Sequence, residues 1–253
     1  MAGNLGDFIA ASLIGRACAA YRQRGLGYLC YKVLKRALHD RPLLARYLLY
    51  RAPRWYWEQR GGQDYFREQE AQVERTDRSR FIAEQLTRYA PQSILEIGCG
   101  YGKQLATLRA YTTVPLVGVD WSLSQLELAR RYLSARTGIS LVRADGTSLP
   151  FADKSIDVVL TSAVILHNPP AMADSILREI CRVGRRLAIH NEDTNKSFSR
   201  FGYNIAAAYR RLGYRVIECR EIPVAAQPAI TQFCVIDLRS STPLVMSPTQ
   251  PLV

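Results

Sequence analysis

In the run ILEIGCGYGKQ (residues 94–104) an apolar strand ends in Gly98, Gly100 and Gly102, with Glu96 just ahead of the first glycine. Glycine permits positive φ and lets another group come close against the backbone. A helix starting at Lys103 would aim its N–H groups and its positive end at an anion. A carboxylate beside such a turn suits an ammonium and repels a pyrophosphate. The pattern E-x-G-x-G-x-G therefore suits an amino-acid zwitterion, with acid facing amine and backbone donors facing carboxylate. A dinucleotide fingerprint starting at Gly98 needs glycine at position 103, where the chain has Lys103.

Further segments follow in order. VGVDWS (117–122) ends an apolar run in Asp120 and Trp121, and RADGTSLPFADKSIDVVLTSAVILH (143–167) carries Asp145, Gly146 and, at its end, His167. ADSILREICRV (173–183) has a helical rhythm. Together with the glycine turn, these segments resemble the ordered motifs of the class I S-adenosylmethionine-dependent methyltransferases over about residues 75–238. The resemblance implies S-adenosylmethionine as cofactor. It also implies that Glu96, Gly98, Gly100 and Gly102 receive the amino-acid end, and that Asp120 accepts from both ribose hydroxyls. Trp121 would lie on the adenine, Asp145 would take the adenine amine, and Gly146 would line the ring. Two features depart from the family: VGRRLAI replaces the usual Pro-Gly-Gly turn before the fifth strand, and a long N-terminal extension precedes the common core.

Methyl transfer is an in-line displacement governed by alignment, and an oxygen or nitrogen acceptor asks of the protein at most a base. His167, at the carboxyl edge of the fourth strand, is the candidate, since neutral imidazole accepts a proton near pH 7. It reads equally as a loop histidine that shapes the pocket. His190, Asn191 and Glu192 end the next strand and could bind a hydroxylated acceptor, or His190 could be the base. Asn168-Pro169-Pro170 is similar to the amine-gripping motif of adenine and glutamine methyltransferases, but Ala171 stands where they have an aromatic residue; asparagine and proline also simply start helices. WYWEQRGGQDYF (55–66) has the aromatic and arginine character of segments that fold over the cofactor in many relatives, and so reads as a lid or as packing on the catalytic domain.

These residues need a scaffold. From residue 93 onward short apolar strands alternate with amphipathic helices, which implies a doubly wound, mostly parallel α/β sheet of seven strands, the Rossmann-like methyltransferase fold. YRVIECREIPV and TQFCVIDLR (beginning at 214 and 231) read as an antiparallel edge hairpin. A helix capped by Thr76 or Asp77, with Phe81, Ile82, Leu86 and Tyr89 inward, leads in and stops before Pro91. Residues 5–57 read as helical, with Leu26, Cys30, Val33 and Ala37 on the apolar face and Lys32, Lys35, Arg36 and His39 on the other. The expected divisions are a basic helical extension with a possible lid (1–74), the methyltransferase domain (75–239) and a disordered tail (240–253).

Of the 253 residues, 34 are Lys or Arg and 22 Asp or Glu, for a net charge of +12. The excess is concentrated at the N-terminus, where residues 1–60 hold 11 basic against 3 acidic side chains. That points to an anionic neighbour, be it a membrane surface, a phosphorylated substrate or RNA, or to a solvated basic face. The near-balanced core offers no basic groove, so the expected acceptor is a small molecule (phenolic, glycosylated or lipid-linked), with oxygen favoured over nitrogen. The rivals are an RNA methyltransferase and a non-catalytic binding module. The six cysteines show no CxxC pair and no framework spacing and read as reduced core residues of a cytosolic protein; Cys219 and Cys234 read as lying on neighbouring strands, where a disulfide is the lesser alternative. The first residues resemble a cleaved leader but lack a basic start, carry Asp7 and are broken by Arg16, so no cleavage is expected. The expected location is the cytoplasm, with peripheral contact at the inner membrane face open.

Overall fold

The computed structural model describes residues 5–223 and 230–241; the expected tail lies almost wholly outside them. Contacts divide the chain into Met1–Arg60 and Gly61–Val253, so residues 61–74, counted with the extension in the sequence, belong to the second unit.

The first unit is helical: α1 (Leu5–Ala37), α2 (Pro42–Leu49) and α3 (Pro53–Arg60). Helix α1 is broken at Arg24 and Gly25, where Gly25 takes φ 77°. The Arg24 guanidinium donates to the carbonyls of Glu58 and Gln59, tying the break to α3. Tyr28, Tyr31, Leu38, Leu49, Tyr50 and Tyr56 are buried, and Tyr56 meets Tyr31 and Tyr50 edge-on at 5.6 and 4.9 Å. The apolar face expected from Leu26, Cys30, Val33 and Ala37 is instead the exposed one. The helix carries two apolar stripes, and the stripe holding the large tyrosine rings turns inward because it buries more surface.

In the second unit α4 (Gln63–Glu70) and α5 (Val73–Thr87) precede the sheet. Helix α5 starts at Val73, before the expected Thr76 or Asp77 cap, and buries Ile82 and Leu86 as its periodicity requires. The chain then continues through β1 (Ile94–Ile97), α6 (Lys103–Arg109), β2 (Leu116–Asp120), α7 (Leu123–Tyr132), β3 (Ile139–Arg143) and β4 (Ile156–Ser162). A 3-10 turn (Ile165–His167), α8 (Pro170–Val183), β5 (Gly184–Asp193), α9 (Ile205–Arg211), β6 (Tyr214–Pro223) and β7 (Ile230–Ser241) complete it. The order is β3-β2-β1-β4-β5-β7-β6; β1 to β5 are parallel, while β7 runs antiparallel to both β5 and β6. This is the expected seven-stranded sheet with an antiparallel edge. Strand alternation splits the core between its two faces. Leu95, Ile97, Val159, Ala188 and Ile236 pack with α8 and α9, and Ile94, Val158, Leu160, Ile189 and Val235 pack with α5, α6 and α7.

The turn before β5 departs from the family pattern for a visible reason. Gly184 carries α8 straight into β5, and a Cβ there would lie 2.5 Å from Leu238 Cδ1 and 2.8 Å from the Ile180 carbonyl. Arg185 and Arg186 then both reach Asp157 on β4, at 3.2 and 2.8 Å. Burial pushes the Asp157 carboxyl up, but the guanidiniums and the Gln92 N–H outweigh it and hold the group down at about 2.

Cysteine usage differs from expectation. Cys219 and Cys234 face each other across β6 and β7 and form a disulfide. Of the other four, Cys99 and Cys181 are buried, whereas Cys18 and Cys30 are exposed.

Candidate active site

The strand order reverses between β1 and β4, the place where open α/β sheets bind ligands beyond the strands' carboxyl ends. The glycine turn sits there. Gly98, Gly100 and Gly102 all take positive φ, 68°, 54° and 89°. At Gly98 a Cβ would lie 2.5 Å from Val164 Cγ2, so a side chain would collide with the segment leaving β4. At Gly100 the nearest atom to such a Cβ is Gln125 Nε2 at 3.8 Å, and a bare backbone faces open space there. Asp120, at the tip of β2, holds the turn: Oδ2 accepts from Gly100 N–H and Oδ1 from Ser122 N–H, both at 2.8 Å.

Glu96 is buried on β1, and its Oε2 has no hydrogen-bond partner. Burial, and then the nearby Asp120 charge, push its carboxyl well above the ordinary range. A buried carboxyl with an unmet acceptor beside a bare glycine turn suits the ammonium of an amino-acid ligand. Gln125 Oε1, buried beside it, is a second unmet acceptor. Trp121 is 39% exposed just past β2, with the Arg143 guanidinium 5.8 Å from its ring centroid. Asp145 follows β3 and accepts from Thr147 N–H at 3.0 Å, and Gly146 approaches Ile97 and Ile176 so closely that a Cβ would meet them at 3.3 and 3.4 Å.

The segment expected as a lid divides between the two units, its first part in α3 and the rest from Gly61 to α4. Helix α4 packs on the glycine turn. Phe66 meets the Tyr101 ring edge-on at 4.9 Å, and Glu70 accepts from the Tyr101 hydroxyl at 2.8 Å and from Lys103 at 3.0 Å. Tyr101, Glu70, Gln125 and Arg143 carried no sequence signal of their own, although Tyr101 lies inside the glycine motif.

His167 closes the 3-10 turn after β4, half-buried, with Nδ1 2.6 Å from the Ser199 carbonyl. His190 is not at the surface of the site. Burial pushes it down to about 3, and both ring nitrogens are engaged, Nδ1 with Thr161 at 2.8 Å and Nε2 with Tyr209 at 2.9 Å. Glu192, also expected at the acceptor edge, is buried as well. It accepts from the Thr161 hydroxyl at 2.8 Å and from the N–H groups of Val164 and Leu166 at 3.0 and 3.3 Å. Because Thr161 gives its proton to Glu192, it must accept from His190 Nδ1–H, which leaves Nε2 to accept from Tyr209. This chain of four side chains anchors the segment that carries His167. Residues 190 and 192 of β5 are thus buried within the fold rather than placed at its open edge. Asn168 Nδ2 donates to the Val164 carbonyl at 2.8 Å, while the Asn168 backbone carbonyl accepts from the Tyr203 hydroxyl at 2.7 Å. Pro170 starts α8.

Comparison with known proteins agrees with this layout. Residues 94–186 match a family model described as a methyltransferase domain. The chain is 37% identical over 114 residues to methyltransferase GfsG of Streptomyces halstedii, covering 43% of this chain and 40% of that protein. It is 30% identical over 138 residues to O-methyltransferase rstn1 of Aspergillus nomiae (53% and 59%). It is 38% identical over 102 residues to the malonyl-[acyl-carrier protein] O-methyltransferase of Legionella pneumophila (39% and 34%). It thus spans less than two thirds of each of these relatives. Among solved structures, magnesium protoporphyrin IX methyltransferase of Synechocystis with bound S-adenosylmethionine superposes with TM-score 0.57 at 14% identity, covering 77% of this chain and 95% of that one. The PH0226 protein of Pyrococcus horikoshii gives 0.60 at 19% identity (70% and 99%). The glycine turn and its flanking acids lie within the stretch that matches the methyltransferase domain, and the fold of the chain is the one these solved structures share.

Proposed function

We propose that the protein methylates an oxygen of a small hydroxylated acceptor, with His167 as the base that takes the acceptor's proton. The observation that carries this reading is the Nδ1 contact to Ser199. A carbonyl can only accept, so Nδ1 holds the proton, and in the neutral ring Nε2 is the nitrogen that would act as the base. The ring stands at the carboxyl edge of β4, past the switch point that holds the glycine turn. Relatives named as O-methyltransferases support oxygen as the acceptor atom, since a hydroxyl needs a base more than an amine does.

S-adenosylmethionine supplies a methyl group made electrophilic by a positive sulfur. Glu96 would hold its ammonium, Asp120 its ribose hydroxyls and Asp145 its adenine amine. The Gly98, Gly100 and Gly102 backbone would receive its carboxylate, and Trp121 and Gly146 would border the adenine. Calorimetric titration with S-adenosylmethionine, S-adenosylhomocysteine and NADH tests the site, with binding of the first two alone expected. Methyl transfer to phenolic and glycosylated acceptors follows. His167→Ala should then lower kcat by about 10²–10⁴-fold while cofactor affinity stays unchanged. Turnover unaltered by that substitution would make His167 a structural residue and leave the base elsewhere.

A further inference from the structure

We infer that α2 and the basic side chains at its ends form a docking surface for an anionic lipid bilayer. Helix α2 turns Ala45 and Leu49 into the first unit, and these satisfy its packing. Its outer side carries Leu43, Leu44, Tyr47 and Leu48, with Leu43 85% and Tyr47 63% exposed. Leu43 and Tyr47, and Leu44 and Leu48, are spaced one turn apart, so the four side chains form a contiguous apolar ridge. The first unit holds a second outward apolar stripe, with Leu26 64% and Val33 56% exposed on α1.

Charge selects the occupant. Arg41 precedes α2, Arg51 follows it and Arg46 lies within it. The Arg51 guanidinium sits 5.9 Å from the Tyr47 ring centroid, at the margin of the ridge. Arg36 is exposed near the end of α1, and Asp40, the acid between α1 and α2, lies 2.9 Å from His39. A second copy of the chain laid ridge to ridge would bring these arginines together. A nucleic acid would satisfy the arginines but leave the leucines in contact with phosphate and water. The boundary between lipid headgroups and acyl chains supplies both requirements, phosphate for the arginines and hydrocarbon for the leucines. No helix among the described residues is long and apolar enough to cross a membrane, so the association is peripheral.

The test is co-sedimentation of the full chain with vesicles of phosphatidylcholine alone and of phosphatidylcholine mixed with phosphatidylglycerol. We expect binding to the mixed vesicles that weakens with added salt. The double variant Leu43→Ser, Leu48→Ser should bind them at least about tenfold more weakly. Arg41→Glu with Arg51→Glu should abolish the preference for phosphatidylglycerol. All four positions are exposed, and unchanged circular dichroism would show that the variants fold. Failure of the wild-type chain to bind mixed vesicles, or equal binding by the leucine variant, overturns the inference. So does sedimentation velocity showing a lipid-free dimer that the leucine variant dissolves, since the ridge would then be a contact between copies.

Discussion

Asp120 holds two backbone N–H groups at once and so shapes the glycine turn, and the proposed site also gives it the ribose hydroxyls. Asp120→Ala should therefore weaken S-adenosylhomocysteine binding by about 10–100-fold in calorimetry, the worth of one or two hydrogen bonds to a charged acceptor. Unchanged affinity would remove Asp120 from the site. The residues around this turn were legible in the sequence because glycine spacing and acids at strand ends are local patterns. His190 and Glu192 were not. Their position at the end of β5 was readable, but that they are buried there depends on how distant elements pack.

At the scale of elements, Glu192 is the fastening between β5 and the segment that leaves β4. Burial raises its carboxyl from an ordinary 4.5 to about 7 despite the donors aimed at it. Between those values the folded chain holds a proton that the unfolded chain has released. Stability must then fall as pH rises through that window and level off above it. Such a shift corresponds to about 3 kcal/mol. In urea unfolding across this pH range, Glu192→Gln should gain on wild type by up to that amount and run parallel to it outside the window. A constant difference at every pH would show that Glu192 titrates normally. Helix α1 teaches a related lesson about legibility: its sequence held two apolar stripes of helical period. Periodicity alone could not choose between them, whereas the bulk of Tyr28 and Tyr31 did.

Over the whole molecule, the parallel strands and the closing antiparallel pair followed from alternation and from the length of the connections, which admit few topologies. The Cys219–Cys234 bond stood in the sequence only as the lesser alternative, because pairing depends on register, and two neighbouring strands can align in several ways. Alkylation of denatured, unreduced protein should label four of the six cysteines and spare that pair. Six labelled thiols would show the pair reduced.

The last described strand of the chain is not the last strand of the sheet. β7 lies between β5 and β6, so the sheet cannot close until the polypeptide has been synthesised nearly to Ser241. Until then the emerging protein carries β5 as an open edge whose hydrogen-bonding groups await a partner, and β6 has no neighbour to pair with. An unpaired edge is where nascent chains stick to one another. Synthesis that stalls or terminates between β6 and β7 would thus yield a molecule with its entire glycine turn and His167 present, yet one prone to aggregate.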